Sequence, residues 1–352
     1  EGGEPFTAKK ALLALGHIGD PRAAPAVLKM LFYERPGVTF FPEAAFATSQ
    51  IGTPMAGPLL AVLEGRDAEL AAWAKTNGVV QGALYAKAAQ LLGDVGDPKA
   101  VPALLQKLGY QDAMVDVEYF VRVYAAESLG RMRAREAVRP IAELAAREKD
   151  PAARVQFCDA LARIGDPAAV PLLRAAAAAG PFEARAPLLT AISQLGGEAD
   201  RAFVAAAKAR DCGACPEGQR RAYDAMLARL DAAQRCGADP GCWADRVAAD
   251  DVGVRDRAAL ELGRAGGAAQ APALAEAAIR RVDDEADLGA RHHAVLALDW
   301  IAQRVDLGAA GPELAAKLEA MIAQEKGRTL TARVNEDALR VAARLRREAP
   351  AK

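Results

Sequence analysis

DPAARVQFCDALARIGDPAAVPLL, residues 150–173, contains one helix, a sharp turn and the start of a second helix. Asp150 offers a side-chain oxygen to the free N–H groups, and Pro151 sits where no helical hydrogen bond is lost. Val155, Cys158, Leu161, Ala162 and Ile164 recur at helical spacing and form one apolar face. Gly165 ends the helix, because glycine takes the left-handed C′ conformation, and Asp166-Pro167 begins the next. A hairpin this short cannot bury its own face, so it has to stack on copies of itself.

The copies are present. LGHIGDPRAAPAVL begins at Leu15, LGDVGDPKAVPALL at Leu92 and LARIGDPAAVPLL at Leu161. Weaker versions begin at Ser49, Leu129 and Leu262. With Ile18 as the anchor position, the series runs Ile18, Ile51, Val95, Met132, Ile164, Leu195, Leu230, Ala265 and Ile301. Most steps are about 31 to 37 residues, the range of two-helix repeats. The longest step, Ile51 to Val95, holds an insertion around residues 66–80.

A second periodicity supports this register. Ten residues before each anchor from Met132 onward stands an arginine: Arg122, Arg154, Arg185, Arg220, Arg255 and Arg291. Four residues ahead of four of them lies an acid: Glu118, Asp150, Asp251 and Asp287. An acid at a helix entrance suits both the positive end of the dipole and an arginine one turn later. The first three repeats carry Ala8, Phe41 and Tyr85 at the arginine site.

These motifs resemble the HEAT repeat family, in its bacterial, phycobilisome-lyase-like form, over nearly the whole chain. The resemblance implies an all-α fold, an α-solenoid: a superhelical stack of about nine helical hairpins over residues 1–352. It also implies that the recurring acids and arginines link neighbouring repeats by hydrogen bonds. Asp150 with Arg154 and Asp251 with Arg255 would be rungs of that ladder. A polar-faced helix at about residues 330–347 is expected to cap the last layer, and Asp283, Asp284 and Glu285 to form a solvated helix entrance.

Composition agrees with a repeat array. Hydrophobic residues are 52% of the 352, too many for disorder, and aromatics only 5%, which suits thin helical layers. Lys+Arg 45 against Asp+Glu 46 leaves a net charge of −1, which argues against a general polyanion binder. No apolar run reaches the length of about 18 residues that a membrane helix needs. The chain begins at Glu1 with no signal-peptide pattern, so a mature or trimmed form is expected, with any leader or lipid anchor on a removed N-terminus.

Four of the five cysteines fall in one insertion, at about residues 211–243: Cys212, Cys215, Cys236 and Cys242. The second pair spans a Gly/Asp/Pro/Gly turn that brings two Cα atoms within disulfide distance. The insertion resembles those stapled by their own bridge in some cell-envelope HEAT proteins. Two other readings remain open. A Cys₄ zinc site wants two C-x₂-C knuckles, and the second pair here has five intervening residues. A redox C-x-x-C wants a thioredoxin-like βαβ pattern, which is missing. Of three possible connectivities, local pairing (212 with 215, 236 with 242) is preferred. Cys158 reads as a small buried hydrophobe.

No catalytic constellation emerges. His17 lies in a turn and His292-His293 mid-helix, without a Cys, Asp or Glu at a spacing that suggests a metal site or a triad. HEAT-like iron enzymes use His-Glu pairs, and no His-Glu dipeptide occurs. Phosphate-cradling, nucleophile-elbow and dinucleotide motifs are missing too. No cofactor or metal is therefore expected. HEAT-like DNA glycosylases bind duplexes in a basic groove, and Arg131, Arg133, Arg135 and Arg139 are the densest basic cluster here. Glu136, Glu143 and Glu148 dilute it, so a solvated turn is the simpler reading.

Twelve of the eighteen aromatic residues lie between Phe6 and Tyr124. Phe32, Phe46, Phe120 and Tyr124 read as core. Tyr33, Phe40, Phe41 and Tyr110 lie nearer loop tips, where aromatics on a rigid scaffold make partner contacts. The expectation is a non-enzymatic scaffold for another protein, periplasmic or cell-envelope if the disulfides form, with no nucleic acid bound. The alternative is an enzyme or maturation factor on the same repeats, such as a chromophore lyase.

Overall fold

The structure, a computed structural model, describes residues 4–32, 34–35, 37–280, 287–325 and 332–346. Among them the chain forms twenty α-helices in two compact units, Glu1–Leu172 and Leu173–Lys352. Tyr33 and the acids at 283–285 lie outside the described residues.

In the first unit the helices are α1 (Pro5–Ile18), α2 (Ala24–Phe32), α3 (Phe41–Ile51), α4 (Ala56–Leu63), α5 (Ala68–Thr76), α6 (Gln81–Val95), α7 (Val101–Lys107), α8 (Val115–Arg131), α9 (Val138–Arg147) and α10 (Pro151–Ile164). The insertion at residues 66–80 is the extra helix α5. The first helices of successive repeats stack in sequence, α1 on α3, α6 on α8 and α8 on α10. Two strands of two residues, β1 (Glu34–Arg35) and β2 (Val38–Thr39), pair antiparallel where the sequence reads as a plain loop.

The Gly-Asp-Pro corner has a consistent mechanism. Gly19, Gly96 and Gly165 adopt φ of 67°, 75° and 77°, the left-handed region that closes a helix. The next residue, Asp20, Asp97 or Asp166, accepts a hydrogen bond from a backbone N–H two residues on. The proline then opens a single 3₁₀ turn that leads into the second helix. In the α8 repeat Arg133 occupies the left-handed position instead, at φ 55°.

The other glycine of the repeated phrase, two residues before the anchor, sets the spacing between layers. A Cβ on Gly93 would stand 2.7 Å from the Ser128 Cα, and one on Gly130 would stand 2.9 Å from the Ala160 Cα. The helices therefore touch backbone to backbone at that point. Ser128 adds a hydrogen bond there, its hydroxyl donating to the Ala89 carbonyl at 2.7 Å. Around the crossing, Val121, Ala125 and Leu129 of α8 and Phe157, Ala160 and Leu161 of α10 are buried. Cys158 and Ile164 are buried as expected, but Val155 is 47% exposed and Phe157 takes its place in the core.

The second unit holds α12 (Phe182–Leu195), α13 (Glu198–Asp211), α14 (Glu217–Cys236), α15 (Pro240–Arg246), α16 (Val252–Ala265), α17 (Ala271–Ile279), α18 (Leu288–Ala302), α19 (Ala310–Gln324) and α20 (Ala332–Leu345). The unit boundary falls within the helix Val170–Ala177, which is α11. Here α12 packs on α14, α14 on α16 and α16 on α18, while α20 lies against α18 and α19.

Two substitutions of one kind separate crossing from helix propensity. Gly130→Ala should lose about 1–3 kcal/mol, because the atoms it meets are backbone and cannot yield. Gly57→Ala, in α4 with nothing within 4 Å of its Cβ, should gain roughly 1 kcal/mol. Urea unfolding of both variants checks the opposite signs.

Candidate functional site

The arginine ladder forms, with partners other than those expected. The acid four residues upstream mostly caps its own helix: Asp150 accepts from the Ala153 N–H and Asp251 from the Val254 N–H, each at 2.9 Å. Glu118 does pair with its arginine as expected, at 3.2 Å from Arg122. The guanidinium instead reaches back to carbonyls ending the preceding helix or following it. Arg154 donates to Ala145 and Glu148, Arg185 to Ala177, Arg255 to Ala249 and Asp250, and Arg291 to Ala278. The carbonyls of residues 145, 148, 177 and 278 are the orphan acceptors of a helix C-terminus, where a cation is favoured, and those of Ala249 and Asp250 lie in the turn after α15.

Most of these arginines, and Arg122, also reach forward to an acid, which ends the second helix of their own repeat (Glu148, Asp211 and Glu325) or opens the next repeat (Asp287). Arg122 meets Glu148 at 2.8 Å, Arg185 meets Asp211 at 2.7 Å, Arg255 meets Asp287 at 2.6 Å and Arg291 meets Glu325 at 2.8 Å. Five donors in a fixed fork explain why arginine stands here: it binds a helix end and a carboxylate at once. Arg220 breaks the series. It is exposed, and no ion pair of it is found among the described residues, so it is withdrawn from the ladder. Its repeat contributes Tyr223, whose hydroxyl donates to Asp211.

Asp211 is thus held from two repeats. Burial raises its pKa, but bonds from Tyr223, Arg185 and Arg210 outweigh this and leave it at about 2. Burial and the bond to Asp211 push the Tyr223 phenol up to about 12.

A second polar series was not read from the sequence. The residue just before the anchor is Asp94, Arg131, Arg163, Gln194, Arg229 or Arg264 in six repeats, and that position was the available signal. In the first unit Arg131 lies 3.2 Å from Asp94 and 2.9 Å from Glu127, and Arg163 lies 2.6 Å from Asp159. In the second, Gln194 donates to Asp256 at 2.7 Å, Arg229 approaches it at 3.3 Å and His293 Nδ1 donates to it at 2.6 Å. Burial raises the Asp256 pKa, yet the charges of His293 and Arg229 prevail and hold it well below the usual carboxylate range. His292 pairs with Asp337 of α20 at 2.7 Å, and Arg340 bridges Asp337 and Asp299. Both histidines therefore have acidic partners, 37 and 45 residues away, that sequence spacing did not reveal.

The cysteine pairs flank α14. Cys212 and Cys215 are bonded with Cα atoms 4.5 Å apart, and Cys236 and Cys242 with Cα atoms 5.4 Å apart. The second bridge closes the turn into α15, where Trp243 Nε1 donates to the Gly237 carbonyl at 2.9 Å. Cys158 is the free thiol among the described residues, and burial pushes it up to about 12. No group of three or more His, Cys, Asp or Glu among the described residues is placed to hold a metal ion.

The aromatic residues exchange roles. Phe40, expected at a loop tip, is 3% exposed and belongs to the core, because the β1–β2 hairpin turns the chain inward before α3. Phe41 is half-buried, with the Lys87 ammonium 5.3 Å from its ring. Tyr110 is half-buried too: its ring stands edge-on to Tyr85 and its hydroxyl donates to Asp112 at 2.6 Å. Burial and that bond raise its pKa.

Phe120, expected in the core, is 45% exposed. Phe120 stands twelve residues before its anchor, a position that faces outward in other repeats too, as at Ala152 and Gly218; α8 itself begins seventeen residues before its anchor, against fourteen for α6 and thirteen for α10. Its first turn therefore has no neighbouring layer, and Met114 and Val115 are 50% and 79% exposed. Tyr119 stands edge-on to Phe120 at 5.2 Å, and Tyr124 stacks on it at 5.8 Å. Together they form an aromatic cluster in which Phe120 is exposed and the two tyrosines are half-buried.

Helical hairpins joined by a left-handed corner and stacked through small residues define a helical-repeat protein of the solenoid class. The repeats are HEAT repeats: residues 113–193 match the HEAT repeats model, and residues 8–33 and 84–110 match the PBS lyase HEAT-like repeat. Among curated proteins none matches the chain. Among solved structures the chain is similar to the complex of CpcE and CpcF of phycocyanin lyase from Nostoc sp. PCC7120, at 19% identity and TM-score 0.39, covering 82% of this chain and 98% of that one. It is similar also to human deoxyhypusine hydroxylase in complex with glycerol, at 19% identity and TM-score 0.34, covering 92% and 96%.

Two outcomes follow from the ladder. Arg255→Ala strands the buried Asp287 carboxylate and should cost about 3–5 kcal/mol, whereas Arg220→Ala should stay within about 0.5 kcal/mol; chemical denaturation distinguishes them. The Asp211 contribution is complete above the ordinary carboxylate pKa, near 4, and is lost as pH falls toward about 2. The Tyr223 contribution is complete below the ordinary phenol pKa, near 10, and is lost as pH rises through about 12. Tyr223→Phe should therefore flatten the alkaline limb of a stability-versus-pH curve, measured by thermal unfolding.

Proposed function

We propose that the chain is a non-enzymatic HEAT-repeat scaffold that binds another protein through the exposed start of α8, and that it works outside the reducing cytoplasm. The observation that carries this reading is the Met114, Val115, Tyr119, Phe120 and Tyr124 surface. Met114, Val115 and Phe120 are exposed there beside the half-buried Tyr119 and Tyr124, and such side chains on a rigid helix are the usual anchors of protein recognition.

Charge supports a protein partner over nucleic acid. In the basic cluster, Arg131 faces Asp94 and Glu127, Arg135 faces Asp166 at 3.4 Å and Arg139 faces Glu143 at 2.8 Å. A phosphate-binding stripe keeps its cations available. In the second unit Asp256 is held by Gln194, Arg229 and His293, and Arg340 pairs with Asp299 and Asp337, which suits a structural role. No helix among the described residues is long and apolar enough to cross a membrane. The two closed cysteine pairs support an oxidising compartment.

A photo-crosslinking residue in place of Phe120, expressed in the source cells, tests the surface. One defined protein adduct is expected, and none when the crosslinker replaces exposed Val305 instead. Thiol titration of the same unreduced preparation should find only the Cys158 thiol, and only after denaturation; five titratable thiols would remove the extracytoplasmic assignment.

A further inference from the structure

We infer that the α8 surface takes an arginine-bearing amphipathic segment of its partner, with one guanidinium lying on the Phe120–Tyr124 stack while donating to Asp116. This deepens the binding reading above and rests on it.

Three observations converge on that chemistry. Residues 110–121 contain Asp112, Asp116 and Glu118 and no Lys, Arg or His. Glu118 is occupied by Arg122, but Asp116 is exposed, and no ion pair of it is found among the described residues. Asp116, Phe120 and Tyr124 follow one another at four-residue spacing, so carboxylate and rings line one face of α8 within a turn of each other.

Asp112 adds a second fixed negative charge. It accepts the Met114 N–H at 3.0 Å and the Tyr110 hydroxyl, and these bonds hold its pKa below the usual range. It stays ionised at any physiological pH. Beside the stack, burial and the Asp150 charge raise the Tyr119 pKa, so that ring keeps its phenol proton.

A planar cation fits this arrangement better than any other group. Guanidinium stacks on an aromatic face within about 6 Å of the centroid and still offers edge N–H donors to a carboxylate. Met114 and Val115 supply adjoining apolar surface for the aliphatic side chains of the same segment. The acids repel phosphate, which disfavours nucleic acid and anionic lipid as occupants.

The test uses the full chain and a labelled, helix-forming model peptide with a leucine face and an arginine face, read by fluorescence anisotropy. Replacing its arginines with glutamine should weaken binding about tenfold. Phe120→Ser and Asp116→Asn should each produce a similar loss, Phe120→Tyr should retain affinity, and added salt should weaken the complex. Both positions tested, 116 and 120, are exposed, and an unaltered melting curve certifies the three variants.

Equal binding of the arginine and glutamine peptides, or binding indifferent to both Phe120→Ser and Asp116→Asn, overturns the arginine assignment. The crosslink at position 120 separates the two levels. An adduct without arginine dependence leaves the α8 surface standing and removes its chemistry. Loss of both the adduct and peptide binding removes the surface itself.

Discussion

In the first unit layer spacing rests on one contact repeated along the stack: a helix crossing its neighbour at a residue with little or no side chain. Gly93 against Ser128 and Gly130 against Ala160 bring backbones together more closely than a Cβ allows. That closeness explains the alanine-rich composition and the scarcity of aromatics, because bulky groups would force the layers apart. It also leaves little apolar area per residue, since each small side chain buries little surface. Other interactions have to tie one repeat to the next.

The arginine ladder supplies them. A helix that ends at a repeat corner leaves carbonyls without partners, and in a stacked array those ends are covered by the next layer. Arg255 meets this need from below and above: carbonyls of residues 249 and 250 on one side, Asp287 on the other. Buried ion pairs of this kind contribute modestly over an apolar substitute. Their geometric demand is stricter, however, because a slipped register would leave both the guanidinium and the carboxylate unpaired. Specificity of stacking is thus the stronger consequence. The exception supports the same account: in the repeat where Arg220 turns outward, Tyr223 reaches Asp211, and two disulfides bracket the helix that carries it.

Much of this was legible in the sequence, and the failures have physical causes. Repeat length, corners and the positions of the arginines follow from local chemistry, because capping and left-handed glycine act within a few residues. Partners of the arginines were misread, since an acid four residues upstream is equally suited to cap its own helix, as Asp150 does. The histidine pairs were missed because Asp256 and Asp337 lie in other helices, and pairing across layers leaves no short-range spacing. Phe40 and Phe120 exchanged places because sequence pattern gives the face of an element, whereas exposure depends on what packs over that face.

That last point bears on where a repeat protein can bind anything. Inside a stack every face of a first helix is assigned: one side to the previous layer, one to the next, one to its own hairpin partner. Recognition has to come from what the repeat pattern does not require. In α8 the departures are an added turn at the N-terminal end, which carries Met114 and Val115 beyond the starts of α6 and α10, and a phenylalanine, Phe120, at a position that faces outward. Exposing these groups has a hydrophobic cost that stacking does not compensate. In a chain whose other first helices begin nearer their anchors, such a cost concentrated over Met114, Val115 and Phe120 is best explained by a surface that is covered when the protein acts.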